Sequence, residues 1–170
     1  DSRTTLGTGL SGYRRSLAAM ASADAGYFGG GFDFDVVDEV TTVDRFLFSN
    51  DSRTTLGTGL SAATQAFAGM ASTVAGYFGG GYVATYTDAV DRFLFSNDSR
   101  TTLGTGLSAA ANDLAAMASP VAGYFGGGGL GAGVNRFLFS DDSRTTLGTG
   151  LSSSIALLAG MASPVAGYFG

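Results

Sequence analysis

The stretch AGYFGGG stands at residues 25–31, recurs whole at 75–81 and 122–128, and returns as AGYFG at 166–170. A second stretch, DSRTTLGTGLS, keeps step with it, beginning at Asp1, Asp51, Asp98 and Asp142. The chain is therefore a tandem repeat with periods of 50, 47 and 44 residues, and the repeat has to be read before anything else. From each DSR to the following GYFG there are always 25 residues, whereas the way back to the next DSR takes 25, then 22, then 19. All the length variation falls in one connection: GFDFDVVDEVTT, then GYVATYTDA, then GGLGAG. That is the behaviour of an exposed loop on a constant frame.

Within the unit, VDRFLFS alternates, with Val43, Arg45 and Leu47 on one side and Asp44, Phe46 and Phe48 on the other, the period of a strand. ND then signals a turn into SRTTLGTG. AGYFGGG reads as a short apolar strand closed by glycines. In the longest copy the alternation in the variable connection extends a hairpin beyond the body of the fold. SAATQAFAGMAS, residues 61–72, is read as a strand, with a capped helix of about three turns as the alternative. Gly69, Gly160, Pro120 and Pro164 weigh against the helix.

Composition narrows the chemistry. The 170 residues include no His, Cys or Trp, and all nine basic residues are arginines. Without imidazole or thiol there is no Ser-His-Asp or Cys-His nucleophile and no ordinary zinc site. A net charge of −5 with no basic cluster argues against nucleic acid. No apolar run reaches the roughly 18 residues of a membrane span, and zero cysteine leaves the redox compartment open. With 45% apolar residues, 13 Phe and 7 Tyr in fixed register, the chain is expected to fold around a core rather than stay disordered.

Unit length, four strands and their order resemble kelch repeats, and the resemblance covers nearly the whole chain. GYFGGG, the variable loop, VDRFLFSND, SRTTLGTGLS and AFAGMAS follow one another as in a kelch blade. The usual outer-strand Trp is absent, with Leu6, Leu56, Leu103 and Leu147 in its place, and Phe48 and its equivalents stand for a Tyr. The near-identity of copies also resembles glycine-rich kelch-like arrays of phage structural and microbial proteins, which inclines the expected location to extracellular or virion-associated. What the resemblance implies is an all-β propeller or propeller fragment of about four blades, each of four antiparallel strands. The blades would lie near 11–58, 61–106 and 108–149, with an incomplete closing blade from 152–170 plus 1–9. A three-stranded closing blade, chains completing one another, and an excerpt of a longer array all fit that ending.

In this reading Gly29, Gly30, Gly79, Gly80, Gly126 and Gly127 serve close approach and turning. Tyr27, Tyr77, Tyr124 and Tyr168 supply area between blades. DSRT reads as a turn whose Asp and Ser bond local backbone while its Arg pairs a neighbouring blade. Asp33, Asp35, Asp38 and Glu39 offer oxygens of the kind calcium takes, but they lack the spacing of an EF-hand loop and read rather as a solvated acidic loop. The loop aromatics Phe32, Phe34, Tyr82 and Tyr86 are the binding candidates. No cofactor and no catalytic residue is expected. The expected role is a structural or assembly scaffold whose partner is itself, as oligomer or longer array, with strand exchange between chains as a means of completion. The alternative is a lectin-like module binding glycan or a protein surface through shallow loop sites.

Overall fold

A computed structural model describes residues 5–163 and 165–170. The chain is all-β and builds three successive four-stranded antiparallel sheets. The first sheet runs Ala18–Ala21, Ala25–Gly29, Val43–Leu47, Arg53–Thr55, each strand pairing with the next in sequence. The second runs Ala68–Ala71, Ala75–Gly79, Val90–Leu94, Arg100–Thr102, and the third Ala115–Ala118, Ala122–Gly126, Val134–Leu138, Arg144–Thr146. Gly160–Ala162 and Gly167–Phe169 then form a strand pair. Residues 6–10 lie along the first sheet, where Leu6 and Leu10 border Phe28 and Phe46. The expected pairing of 1–9 with 152–170 involves residues 1–4, which lie outside the described residues, as does Pro164.

Turn chemistry sets these meanders. Between the first two strands of the sheets, the Ser22, Ser72 and Ser119 hydroxyls accept from the N–H three residues on, at 2.9, 3.0 and 3.1 Å. Pro120 is pre-set for this turn, which is why it sits beside strands and not in a helix. After the third strand, Asn50, Asn97 and Asp141 each accept the N–H two residues on at 3.0 Å. The next residue, Asp51, Asp98 or Asp142, is left-handed with φ 55°, 56° or 58°, a conformation Asp tolerates better than most.

The alternative helix over 61–72 is not formed. Only Ala68–Ala71 is regular, and the residues before it make an irregular turn with Ala66 at φ 57°. The reason is tertiary: a side chain on Gly69 would run into the Ala19 carbonyl, so the first strands of neighbouring sheets lie almost backbone to backbone. The left-handed residues form a rail across the units. Ala66 N–H donates to Ser16 C=O at 2.9 Å, Asp113 to Ala66 at 2.8 Å and Leu157 to Asp113 at 3.3 Å.

The core lies between sheets rather than within one. Ala18, Met20, Tyr27 and Val43 of the first sheet pack on Phe78 and Phe93 of the second. Met70, Tyr77 and Val90 of the second pack on Phe125 and Phe137 of the third. Each sheet thus has a forward face of Met, Tyr and Arg and a backward face of Gly and Phe. Gly80 shows the conformational need directly. Its φ is 71°, and a Cβ there would stand 2.5 Å from the Ala111 carbonyl of the next unit.

Candidate functional site

The longest variable connection makes the expected hairpin, Phe32–Asp33 against Asp38–Glu39, and Arg14–Arg15 adds a third strand to it. Register places Arg15 opposite Phe32. The Arg15 guanidinium stands over the Phe32 ring at 5.1 Å and the Phe34 ring at 5.4 Å. Tyr13 stacks on Phe34 with ring centroids 4.7 Å apart and presents its other side to solvent. The structure therefore brings Phe32 and Phe34 together and adds Tyr13 and Arg15, which sequence reasoning missed. GYRR at 12–15 is the one inter-unit connection with an aromatic and two arginines, a signal that was there to be used.

In the second unit, Tyr82 and Tyr86 face each other across a small hairpin, edge to face at 6.0 Å, both exposed. Gln65 joins the two loops. It bridges to Tyr82 through the backbone and donates from Nε2 to Glu39 Oε1 at 2.7 Å. The third connection is a single 3-10 turn, Gly128–Leu130, without aromatics.

The three aspartates of the first loop each serve donors of the hairpin or of the strand beside it. Asp33 accepts the Asp35 N–H at 2.8 Å, Asp38 accepts the Glu39 N–H at 2.9 Å, and Asp35 accepts the Tyr13 N–H at 3.5 Å. Among the described residues no three acidic, His or Cys side chains stand together as metal ligands would.

Three polar nodes lie in the body of the fold. Asp44 is fully buried and accepts the Ser11 N–H at 2.9 Å, the Ser11 hydroxyl at 2.8 Å and the Thr55 hydroxyl at 2.7 Å, and it pairs with buried Arg14. Burial opposes ionisation of Asp44, but these donors outweigh it and hold the carboxyl below the usual range. Asp91 repeats the node with Ser61 and Thr102, and Asn135 with Ser108 and Thr146. The recurring Ser of GLS and Thr of RTT thus fasten each incoming connection to the third and fourth strands of the sheet it enters.

The DSRT pairing differs from expectation. Its Arg100 stays in its own sheet, 3.3 Å from Asp91, and Arg53 Nε lies 3.9 Å from Asp44. The cross-sheet partner is its Asp: Asp98 accepts from the Tyr27 hydroxyl at 3.0 Å and pairs with Arg45, and Asp142 accepts from the Tyr77 hydroxyl at 2.7 Å with Arg92 at 3.5 Å. The physical reason is register. Tyr27 and Arg45 are cross-strand neighbours on the forward face, so both point at the next unit. Burial first, and then the Asp hydrogen bonds, push Tyr27 and Tyr77 up to about 12, against the opposing arginines.

No protein-family model matches the chain, and comparison with curated proteins finds none similar to it.

Proposed function

We propose that this chain is a non-catalytic structural or assembly scaffold whose sheets are kelch-like propeller blades. The observation that carries this reading is the repeated joint between sheets, in which aromatic, Met, Arg and Asp side chains serve to fix one unit on the next. Asp44, Asp91, Asp98 and Asp142 all have their oxygens engaged by structural donors. Four-stranded meanders stacked through closely approaching first strands also suit propeller blades.

A second reading, a lectin-like module, draws on the Tyr13, Phe34 and Arg15 cluster, an exposed aromatic platform of the kind that stacks on sugar rings. A glycan array with the intact chain and with Tyr13→Ala, Phe34→Ala and Tyr82→Ala variants separates the two. The scaffold reading expects no sugar class bound above background. Reproducible binding lost in these variants would overturn it.

A further inference from the structure

We infer that the second unit holds a small monovalent cation, with sodium as its probe, between the Asp91 carboxylate and the backbone carbonyls of Gly80 and Ala89. The inference goes beyond the scaffold reading and does not rest on it.

The first unit shows what this position takes. There the chain supplies its own cation: buried Arg14 donates to the Gly30 carbonyl at 2.8 Å, to the Thr42 carbonyl at 3.1 Å and to Asp44 Oδ2. Asp44 Oδ2 thus accepts three donors, the Ser11 N–H, the Ser11 hydroxyl and the Arg14 guanidinium. Repeat register carries every acceptor into the second unit, Gly30 onto Gly80, Thr42 onto Ala89 and Asp44 onto Asp91. It carries Arg14 onto Thr64. The acceptors are retained, and a short neutral side chain stands where the cation was.

The local geometry is otherwise that of the first unit. Gly80 N–H donates to the Ala89 carbonyl at 3.0 Å, as Gly30 does to Thr42 at 2.8 Å. Asp91 Oδ2 accepts the Ser61 N–H at 2.7 Å and the Ser61 hydroxyl at 2.8 Å. Its third place, the one Arg14 takes on Asp44, has no donor among the described residues, and neither has the Gly80 carbonyl. These groups border a cavity of about 30 Å³, completed by Thr64 and Thr87. One water-sized occupant needs roughly 10–15 Å³. Thr64 Oγ1 donates to the Ala62 carbonyl at 2.9 Å, which leaves its lone pairs for an ion.

Charge separates an ion from a water here. Buried carboxylates are paired or coordinate metal. Asp44 has two guanidinium partners, Arg14 and, at 3.9 Å, Arg53, whereas Asp91 has Arg100 alone at 3.3 Å. One more positive charge at the Arg14 position gives the second unit the balance of the first. A single carboxylate that already faces an arginine, with carbonyl and hydroxyl oxygens around it, suits one charge rather than the two of calcium, whose sites bring together about six to eight oxygens. The third unit is the neutral case. Asn135 replaces the aspartate, Ala111 replaces the arginine, and a Cβ on Gly129 would stand 2.8 Å from the Ala111 Cα, so that unit has neither the charge nor the space.

Urea unfolding in sodium chloride against choline chloride at equal ionic strength tests the site. Asp91→Asn removes the charge, as Asn135 does in the third unit, and Thr64→Arg supplies the cation, as Arg14 does in the first. Circular dichroism establishes which variant keeps the fold, and either one suffices. The wild-type midpoint is expected to rise with sodium and to saturate, the unfolding constant falling about tenfold at a sodium concentration about ten times the dissociation constant. Each variant is expected to have the same midpoint in both salts. Sodium NMR relaxation, which needs no unfolding, is expected to be enhanced by wild type and less by either variant. Equal wild-type midpoints in the two salts would mean that the cavity holds only water and would overturn the proposal. So would a sodium dependence that persists in a folded variant, or a relaxation enhancement that neither substitution diminishes.

Discussion

The Met20 thioether occupies the space in which a side chain on Gly76 would have to begin. This one relationship explains why the aromatic strands of the second, third and fourth copies begin with Ala-Gly: the glycine is the socket for the methionine of the preceding unit. Because Met70 and Gly123 repeat it, and Met117 and Gly167 again, the fold is best understood as a series of identical joints.

The first prediction concerns alkaline pH. With no His, Cys or Lys, the chain has no side chain whose ordinary pKa lies between about 5 and 9. Unfolding free energy is expected to be nearly flat there. Tyr27 and Tyr77, raised to about 12 from an ordinary 10, contribute stability that is complete below pH 10 and lost as pH rises through 12. Titration of tyrosinate absorbance should leave Tyr27 and Tyr77 largely protonated at about pH 11. Asp98→Asn should lower the Tyr27 value while leaving it above the ordinary one, since burial is the larger cause.

The second concerns the buried pair. Asp44→Asn strands the Arg14 charge in the interior and should cost about 3–5 kcal/mol in urea unfolding. The third sheet supplies its own remedy: Asn135 stands at the Asp44 position, and Ala111, three residues after Ser108, stands at the Arg14 position. Arg14→Ala combined with Asp44→Asn should therefore be less destabilised than the sum of the two singles. The same double variant removes part of the acid limb. Asp44, with a depressed value, contributes stability above the ordinary carboxylate pKa of about 3.9, and that contribution is lost as pH falls below it.

The third compares one turn in two settings. Asp51 and Asp98 share a left-handed conformation, φ 55° and 56°, which glycine adopts without strain. Asp51→Gly should change stability by less than about 1 kcal/mol. Asp98→Gly also forfeits Tyr27 and Arg45 and should destabilise by about 1–3 kcal/mol. Equal effects at the two sites would mean that the cross-sheet contacts contribute nothing.

Strands and turns were legible because their signals are local: the alternation of VDRFL, the Asn-Asp turn, the variable loop lengths. The segment 61–72 was ambiguous because Ala-Gly-Met-Ala is compatible with helix, and only the Ala19 carbonyl behind Gly69 decides the matter. Asp44 and Asp91 look like solvent-facing strand charges. Their burial depends on Ser11 and Ser61, 33 and 30 positions away, which no short window reveals. Phe32 and Phe34 were readable as loop aromatics, whereas Tyr13 and Arg15 join them only through the pairing of Arg14–Arg15 with Phe32–Asp33.

The joint itself is tested most directly by a double-mutant cycle on Met70 and Gly123 in urea unfolding. Met70→Ala should cost about 2–5 kcal/mol and Gly123→Ala about 1–3 kcal/mol, the latter because its new methyl collides with the Met70 sulfur. With Met70 removed, the alanine at 123 occupies the vacated socket and should be neutral or stabilising, giving a coupling above about 1 kcal/mol. Effects that simply add, to within about 0.5 kcal/mol, would contradict the account.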